Sequence, residues 1–217
     1  MIILVNFGIL KKLKMKKIAL IAFALSIFAV SCKKEEKVDT PAEETVAESG
    51  LKIISDSTKV NWVAYKTTDK VAVKGSFTEI NLQDTKAGET PQEVLEGARF
   101  SIPVSSVFSN DPIRDGKLKE FFFMVMKDPE FIGGEFHTKN GSSYLMLTIN
   151  SITKEIPLNI EYVNNKFTIS GNLNLEDFSA QDAIASLNKV CFDLHKGPDG
   201  VSKTWSEVAI SGSVVFE

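Results

Sequence analysis

The sequence predicts an all-β fold, a closed barrel or a sandwich of about eight antiparallel strands, on three observations. Eight runs alternate apolar and polar residues with period two. Turn signals separate several of them at short, even spacing, and only one segment has a clear helical period. No internal repeat is visible.

KVNWVAYKT (59–67) sets Val60, Trp62 and Ala64 against Asn61, Val63 and Tyr65, the pattern of a half-buried strand. VAVKGSFTEINL (71–82) places Val71, Val73, Gly75 and Phe77 on one face. Its parity then slips to Ile80 and Leu82, which implies a bulge near Thr78. ARFSIPVSSVF (98–108) alternates through Ala98, Phe100, Ile102 and Val104, and Pro103 either weakens the strand or places it at an edge. Residues 113–126 follow a break at Asn110-Asp111-Pro112; they alternate poorly and leave room for a helical turn. EFIGGEFHTK (130–139) is a strand with a Gly133-Gly134 bend. SSYLMLTINSI (142–152), IPLNIEYV (156–163) and KFTISGNLNL (166–175) come next, joined by turns at Thr153-Lys154-Glu155 and Asn164-Asn165. DAIASLNKV (182–190) is the helix, with Ala183, Leu187 and Val190 on one face. WSEVAISGSVVF (205–216) completes the set through Val208, Ile210, Gly212, Val214 and Phe216.

The N-terminus sets the compartment. From Met15, MKKIALIAFALSIFAVSC has two lysines, a 13-residue run (Ile18–Val30) interrupted only by Ser26, and the small residues Ala29 and Ser31 before Cys32. That order is a secretory signal, too short for a spanning helix. The cysteine after small residues resembles a bacterial lipobox, in which the thiol is acylated and becomes the first mature residue. A signal anchor with an incidental cysteine is the alternative. Residues 1–14 read as a mis-assigned start or as part of a longer targeting segment. Residues 33–50 hold six acids, three lysines, a proline and no aromatic, a solvated tether. The Lys33-Lys34-Glu35-Glu36 stretch resembles the export signal of Bacteroidetes surface lipoproteins, or is simply a charged linker. The chain thus divides into a signal segment (1–31), a lipidated Cys32 with its tether (32–50), and one domain (51–217). The expected location is the cell envelope, on the outer membrane, facing the periplasm or the cell surface.

Removing residues 1–31 leaves 20 basic against 28 acidic side chains, so the formal charge moves from −3 to −8. Such a balance argues against nucleic acid and against electrostatic adhesion to anionic lipid; attachment falls to acyl chains on Cys32. Catalytic candidates are scarce. His137 and His195, the only histidines, stand in no triad motif. Cys191 and His195 are spaced as half a metal site, and no second pair completes it, so no metal is expected. The loop HKGPDG (195–200) lacks the order of a phosphate loop. Trp205 after it either caps an interior space or anchors the last strand. No enzyme is called for.

IRDGKLKEFFFMVMKDPEF (113–131) resembles a segment of the YceI-like family, Arg-Asp-x-His-Leu-x-x-x-x-Phe-Phe followed by Tyr-Pro-x-x-x-Phe. Arg114, Asp115, Leu118, Phe122 or Phe123, and Pro129 fill the pattern; Lys117 replaces the histidine and Asp128 the tyrosine. Residues 57–65, KGSF (74–77) and NSITKEIPLNIEY (150–162) resemble further family strands, with Asn150 where glycine is common. The resemblance covers about Lys52 to Glu217. Residues 178–205 depart from it as a helix-and-loop insertion.

The resemblance implies a lipocalin-like antiparallel barrel whose interior takes an isoprenoid or other long apolar tail. Twelve phenylalanines follow Cys32, which is ample aromatic wall. The implied lining is Trp62, Phe77, Phe100, Ile102, Phe122, Phe131, Phe136, Leu147 and Phe167, with Arg114 and Asp115 toward a head group. The plainer alternatives are an ordinary core for the aromatics and a turn brace for the Arg-Asp pair. No cofactor beyond a bound lipid is implied. The partners are that apolar ligand and the membrane, and a homodimer is compatible. The alternative function is a structural or interaction lipoprotein with a packed barrel and no ligand.

Overall fold

A computed structural model describes residues 50–54 and 56–217. The expected signal segment, Cys32 and all of the expected tether but Gly50 lie outside the described residues. The alternating runs form strands β1 (Lys59–Lys66), β2 (Val71–Phe77), β3 (Asn81–Gln83), β4 (Arg99–Pro103), β5 (Val107–Phe108), β6 (Phe131–Lys139), β7 (Ser142–Ile149), β8 (Ile152–Val163), β9 (Lys166–Asn174) and β10 (Thr204–Val215). Three helices interrupt them: α1 (Pro91–Leu95), α2 (Pro112–Phe121) and α3 (Gln181–Val190).

All pairings among these strands are antiparallel, in the order β3-β4-β6-β7-β8-β9-β10-β1-β2-β5. The ten segments amount to about eight strands, because two strands are broken. Ser76 and Phe77 of β2 pair with Phe108 and Val107, Thr78 N–H donates to the Ser106 carbonyl at 2.9 Å, and Asn81 of β3 pairs with Ser101. The run β2–β3 therefore lies along the run β4–β5, and the sheet curls back on itself and removes its edges. The slip expected near Thr78 is this break between β2 and β3. In the other run, Val104–Ser106 after Pro103 is a turn of 3₁₀ helix.

Four expectations are corrected. The turn before β8 is Asn150-Ser151, not Thr153-Lys154-Glu155. Both of its residues are left-handed (φ 53° and 61°), a conformation that asparagine tolerates, and β8 runs unbroken from Ile152. Residues 113–126 are more than a turn. α2 has ten residues; Asp111 caps it, accepting from the N–H groups of Ile113 and Arg114 at 3.1 Å each, and Pro112 opens it. The hydrogen bond from Arg114 N–H, foremost, holds the Asp111 carboxyl below its usual range. α1 was not expected at all, although Thr90-Pro91-Gln92-Glu93 is a capping box with proline at the first turn. Pro103 is not on an open edge: it pairs with Phe131 of β6 at the end of its strand.

Other expectations hold. Asn164-Asn165 is the tight hairpin, with both residues left-handed and Val163 paired to Lys166. The helix expected over 182–190 is α3, which buries Ala183 and Leu187.

One end of the barrel is capped by α2, α3 and the short turns at 123–125 and 175–178. Asn150 pins this cap. Its side-chain oxygen accepts from Lys127 N–H at 2.7 Å, and its amide donates to the carbonyls of Phe178 and Ser179 at 2.8 and 3.1 Å. Phe178, Ala180 and Ala183 are almost wholly buried there.

Candidate ligand cavity

Alternation decides what faces the lumen. On β1, Val60, Trp62 and Ala64 point inward; on β10, Thr204, Val208, Ile210 and Val214 do so, and cross-strand partners share a face. Two aromatics are seated on glycines of the next strand. A Cβ on Gly75 would stand 2.1 Å from the Trp62 ring, and one on Gly134 would stand 2.6 Å from the Phe100 ring. Only a hydrogen at these positions lets the rings lie against the wall.

The inward side chains do not fill the barrel. A cavity of about 230 Å³ runs between its walls, lined almost entirely by carbon. Of the side chains expected to line it, Trp62, Phe77, Phe100 and Ile102 do so from one part of the wall. Phe122 does so from the cap, and Phe136, Leu147 and Phe167 do so from β6, β7 and β9. Phe136 and Phe167 meet edge to face at 6.1 Å, and Phe122 packs against Phe123 at 5.0 Å.

Three expected residues are elsewhere. Phe131 is 48% exposed, because odd-numbered positions at the start of β6 face outward while Ile132, Gly134 and Phe136 face in. Asp115 is buried in α2, where it accepts from the Ser109 N–H at 2.9 Å and the Ser109 hydroxyl at 2.6 Å. Arg114 reaches Asp111 at 3.3 Å rather than Asp115. Neither lines the cavity; together they brace the loop entering α2. Alternation also marks lining residues that the expected set omitted, such as Leu145 and Ile149 beside Leu147 on β7. Leu187 belongs to the helical face already read.

The candidates for chemistry are dispersed. His137 lies between Glu96 and Glu135 at 3.1 Å each and stacks on Tyr144. Cys191 is buried, and His195 turns away from it toward Thr204. Among the described residues no group of three potential metal ligands exists. Trp205 both lines the cavity and anchors its strand, donating from Nε1 to the Thr67 carbonyl at 2.7 Å under the Lys203 ammonium.

Residues 51–216 match the YceI-like domain, nearly the whole described region. The chain belongs to the YceI-like family. Among solved structures, this YceI-like chain is similar to a polyisoprenoid-binding domain from Saccharophagus degradans: 14% identity, TM-score 0.54, 77% of this chain and 98% of that one covered. It is also similar to BcnA of Burkholderia cenocepacia, with 17% identity and TM-score 0.50 over 76% of this chain and 99% of that one. These likenesses show a shared fold. Comparison with curated proteins finds no match.

Proposed function

We propose that this YceI-like domain sequesters or carries a long apolar molecule, an isoprenoid or similar chain, inside its barrel. The single observation behind this reading is the unfilled, carbon-lined lumen of about 230 Å³. An engineered apolar cavity of about 150 Å³ stays dry and takes up benzene. By that scale this lumen at rest accepts a segment of roughly nine carbons. A longer tail needs side chains such as Phe100 to swing aside, or must emerge at a rim. Each buried CH₂ contributes about 0.8 kcal/mol, so several isoprene units bind without polar anchors along the tail. The Saccharophagus degradans domain of the same fold, described as polyisoprenoid-binding, is consistent with this use of the interior.

The same reading includes a lipid anchor on Cys32, with the acidic segment to residue 50 as tether and the outer membrane as location. No catalytic step and no cofactor beyond the lipid is invoked. A second reading, an interaction module, draws on exposed apolar side chains of the cap: Ile113, Met124, Phe192 and Leu194 are 73%, 63%, 50% and 59% exposed. Two of these belong to the 178–205 insertion.

One experiment addresses both parts. Full-length protein is extracted from membranes of two different hosts and examined by native and then denaturing mass spectrometry. The expected spectra show a non-covalent apolar lipid released on denaturation and an acyl mass retained on the peptide that begins at Cys32. Protein empty from both hosts, and unable to take up an added polyprenyl alcohol, would overturn the cavity reading. An unmodified Cys32 in membrane-extracted protein would overturn the anchor.

A further inference from the structure

The two ends of the barrel are held in different ways. At the capped end α3 is joined to β10 and the chain before it: Asn188 Oδ1 accepts from the Thr204 hydroxyl at 2.9 Å, and its amide donates to the Ser202 carbonyl at 3.5 Å. At the other end β1 begins, and β6 and β10 finish. The segment 85–96, which carries α1, joins β6 there. Gly97 N–H donates to the Phe136 carbonyl at 2.8 Å, and Phe136 N–H donates to the Ala98 carbonyl at 3.0 Å. α1 buries Val94 and Leu95, and Leu95 lines the cavity.

This segment is braced within itself. Lys86 N–H donates to the Val94 carbonyl at 2.9 Å, and the Glu93 carboxylate accepts from the N–H groups of Glu89 and Thr90 at 2.8 and 3.1 Å. Gly88 lies so close to α1 that a Cβ on it would stand 2.7 Å from Glu93 Cβ. The residues on either side of the segment are both left-handed, Asp84 before it (φ 59°) and Gly97 after it (φ 77°). Its side-chain tie to the wall comes from its last residue. Glu96 Oε2 accepts from the Thr138 N–H at 2.6 Å, and Oε1 lies 3.1 Å from His137 Nδ1. An element rigid in itself, flanked by two sharp bends and latched by one carboxylate, turns as a single body when that carboxylate lets go.

We propose that residues 85–96 are a lid over the lumen, hinged at Asp84 and Gly97, with Glu96 as the latch that holds it to β6. Opening carries Leu95 off the end of the cavity and bares Val94 to water, so the lid rests closed and opens only in passing. The apolar molecule enters and leaves at this end. Leu51 N–H donates to the Gly88 carbonyl at 2.9 Å, which places the lid where the chain enters the domain, beside the expected tether. The inference rests on the lumen reading above and adds the route by which the lumen fills.

The test follows farnesol entering and leaving the full-length protein by stopped-flow tryptophan emission; Trp62 and Trp205, the only tryptophans, both line the cavity. Glu96→Ala is expected to speed uptake and release alike, roughly tenfold, the weight of hydrogen bonds to a charged group. Affinity then stays within about threefold, because the lumen itself is untouched. Glu96→Gln keeps an acceptor for the Thr138 N–H and is expected to fall between that variant and the wild type. Asn188→Ala, at the capped end, is expected to keep the wild-type rates. Release is first order, so a fraction that fails to fold changes its amplitude and not its rate. Unchanged rates in Glu96→Ala would overturn the lid and leave the lumen reading intact. So would faster release with weaker affinity and no faster uptake, the mark of a merely structural role, and so would faster exchange in Asn188→Ala alone. Farnesol that fails to bind the wild type would overturn both.

Discussion

Phe178 and Phe100 are the same residue type in two parts of one fold, and their surroundings are opposite. Phe178 is wholly buried in the cap, near Ala180 and Ala183, with its carbonyl tied to Asn150. Phe100 stands in the barrel wall, half-buried, its ring laid over Gly134 and one side facing open volume. A close-packed interior leaves no room larger than a water molecule. The cap obeys that rule and the lumen does not. The contrast indicates that the cap holds the fold together, while the wall keeps a space that strands alone could have filled.

Truncation should separate the two regions. Phe178→Ala removes a ring on which neighbours close from every side, and the expected loss is about 3–5 kcal/mol in chemical denaturation. Phe100→Ala removes a ring already bordering a void, so less packing is lost, and about 1–2 kcal/mol is expected. The second variant should also enlarge the lumen and admit a bulkier apolar probe, measurable as tighter binding of that probe than by the wild type. Equal losses in the two variants would mean that the wall is as tightly filled as the cap, and the hollow would go with that result.

The wall was legible in the sequence because a strand announces its inward face every second residue. Trp62, Phe77 and Phe100 stand on faces marked by that rule, and Phe136 and Leu147, implied by the family resemblance, obey it as well. Parity excludes Phe131, which the resemblance implied as lining: it is five residues from Phe136, an odd separation that puts the two on opposite faces. α2 was hidden for a different reason. Its residues carry little amphipathic pattern, and the helix is set by the Asp111 cap, Pro112 and packing of Leu118 and Phe122 below it. Arg114 and Asp115 are adjacent in sequence yet bind different partners, since neighbours on a helix diverge by about 100°. The polar rim where β1 stops and β10 starts was out of reach. Residues 66, 188, 194, 195 and 204 are brought together only by the barrel's closure, and no spacing along the chain records that.

The smallest expected effect tests where cap and lumen meet. A free histidine titrates near 6.5, whereas folding depresses His195 to about 4, chiefly through burial and secondarily through Lys66 and Lys117. Between those values the unfolded chain binds a proton that the folded chain refuses. Stability from neutral His195 is therefore present above about pH 6.5 and is lost as the pH falls toward 4. The ring is only half-buried and solvent screens part of the effect, so the expected contribution is about 1 kcal/mol. His195→Gln keeps a polar group near Thr204 and removes the titration. Unfolding midpoints measured from pH 7 to pH 4 should then fall more steeply in the wild type than in the variant, every other titrating group being common to both. Parallel curves would mean that the ring stands in water beside dispersed lysines. The cap would then not close over this rim, and the contrast between a sealed cap and an open wall would fail at the point where the two regions touch.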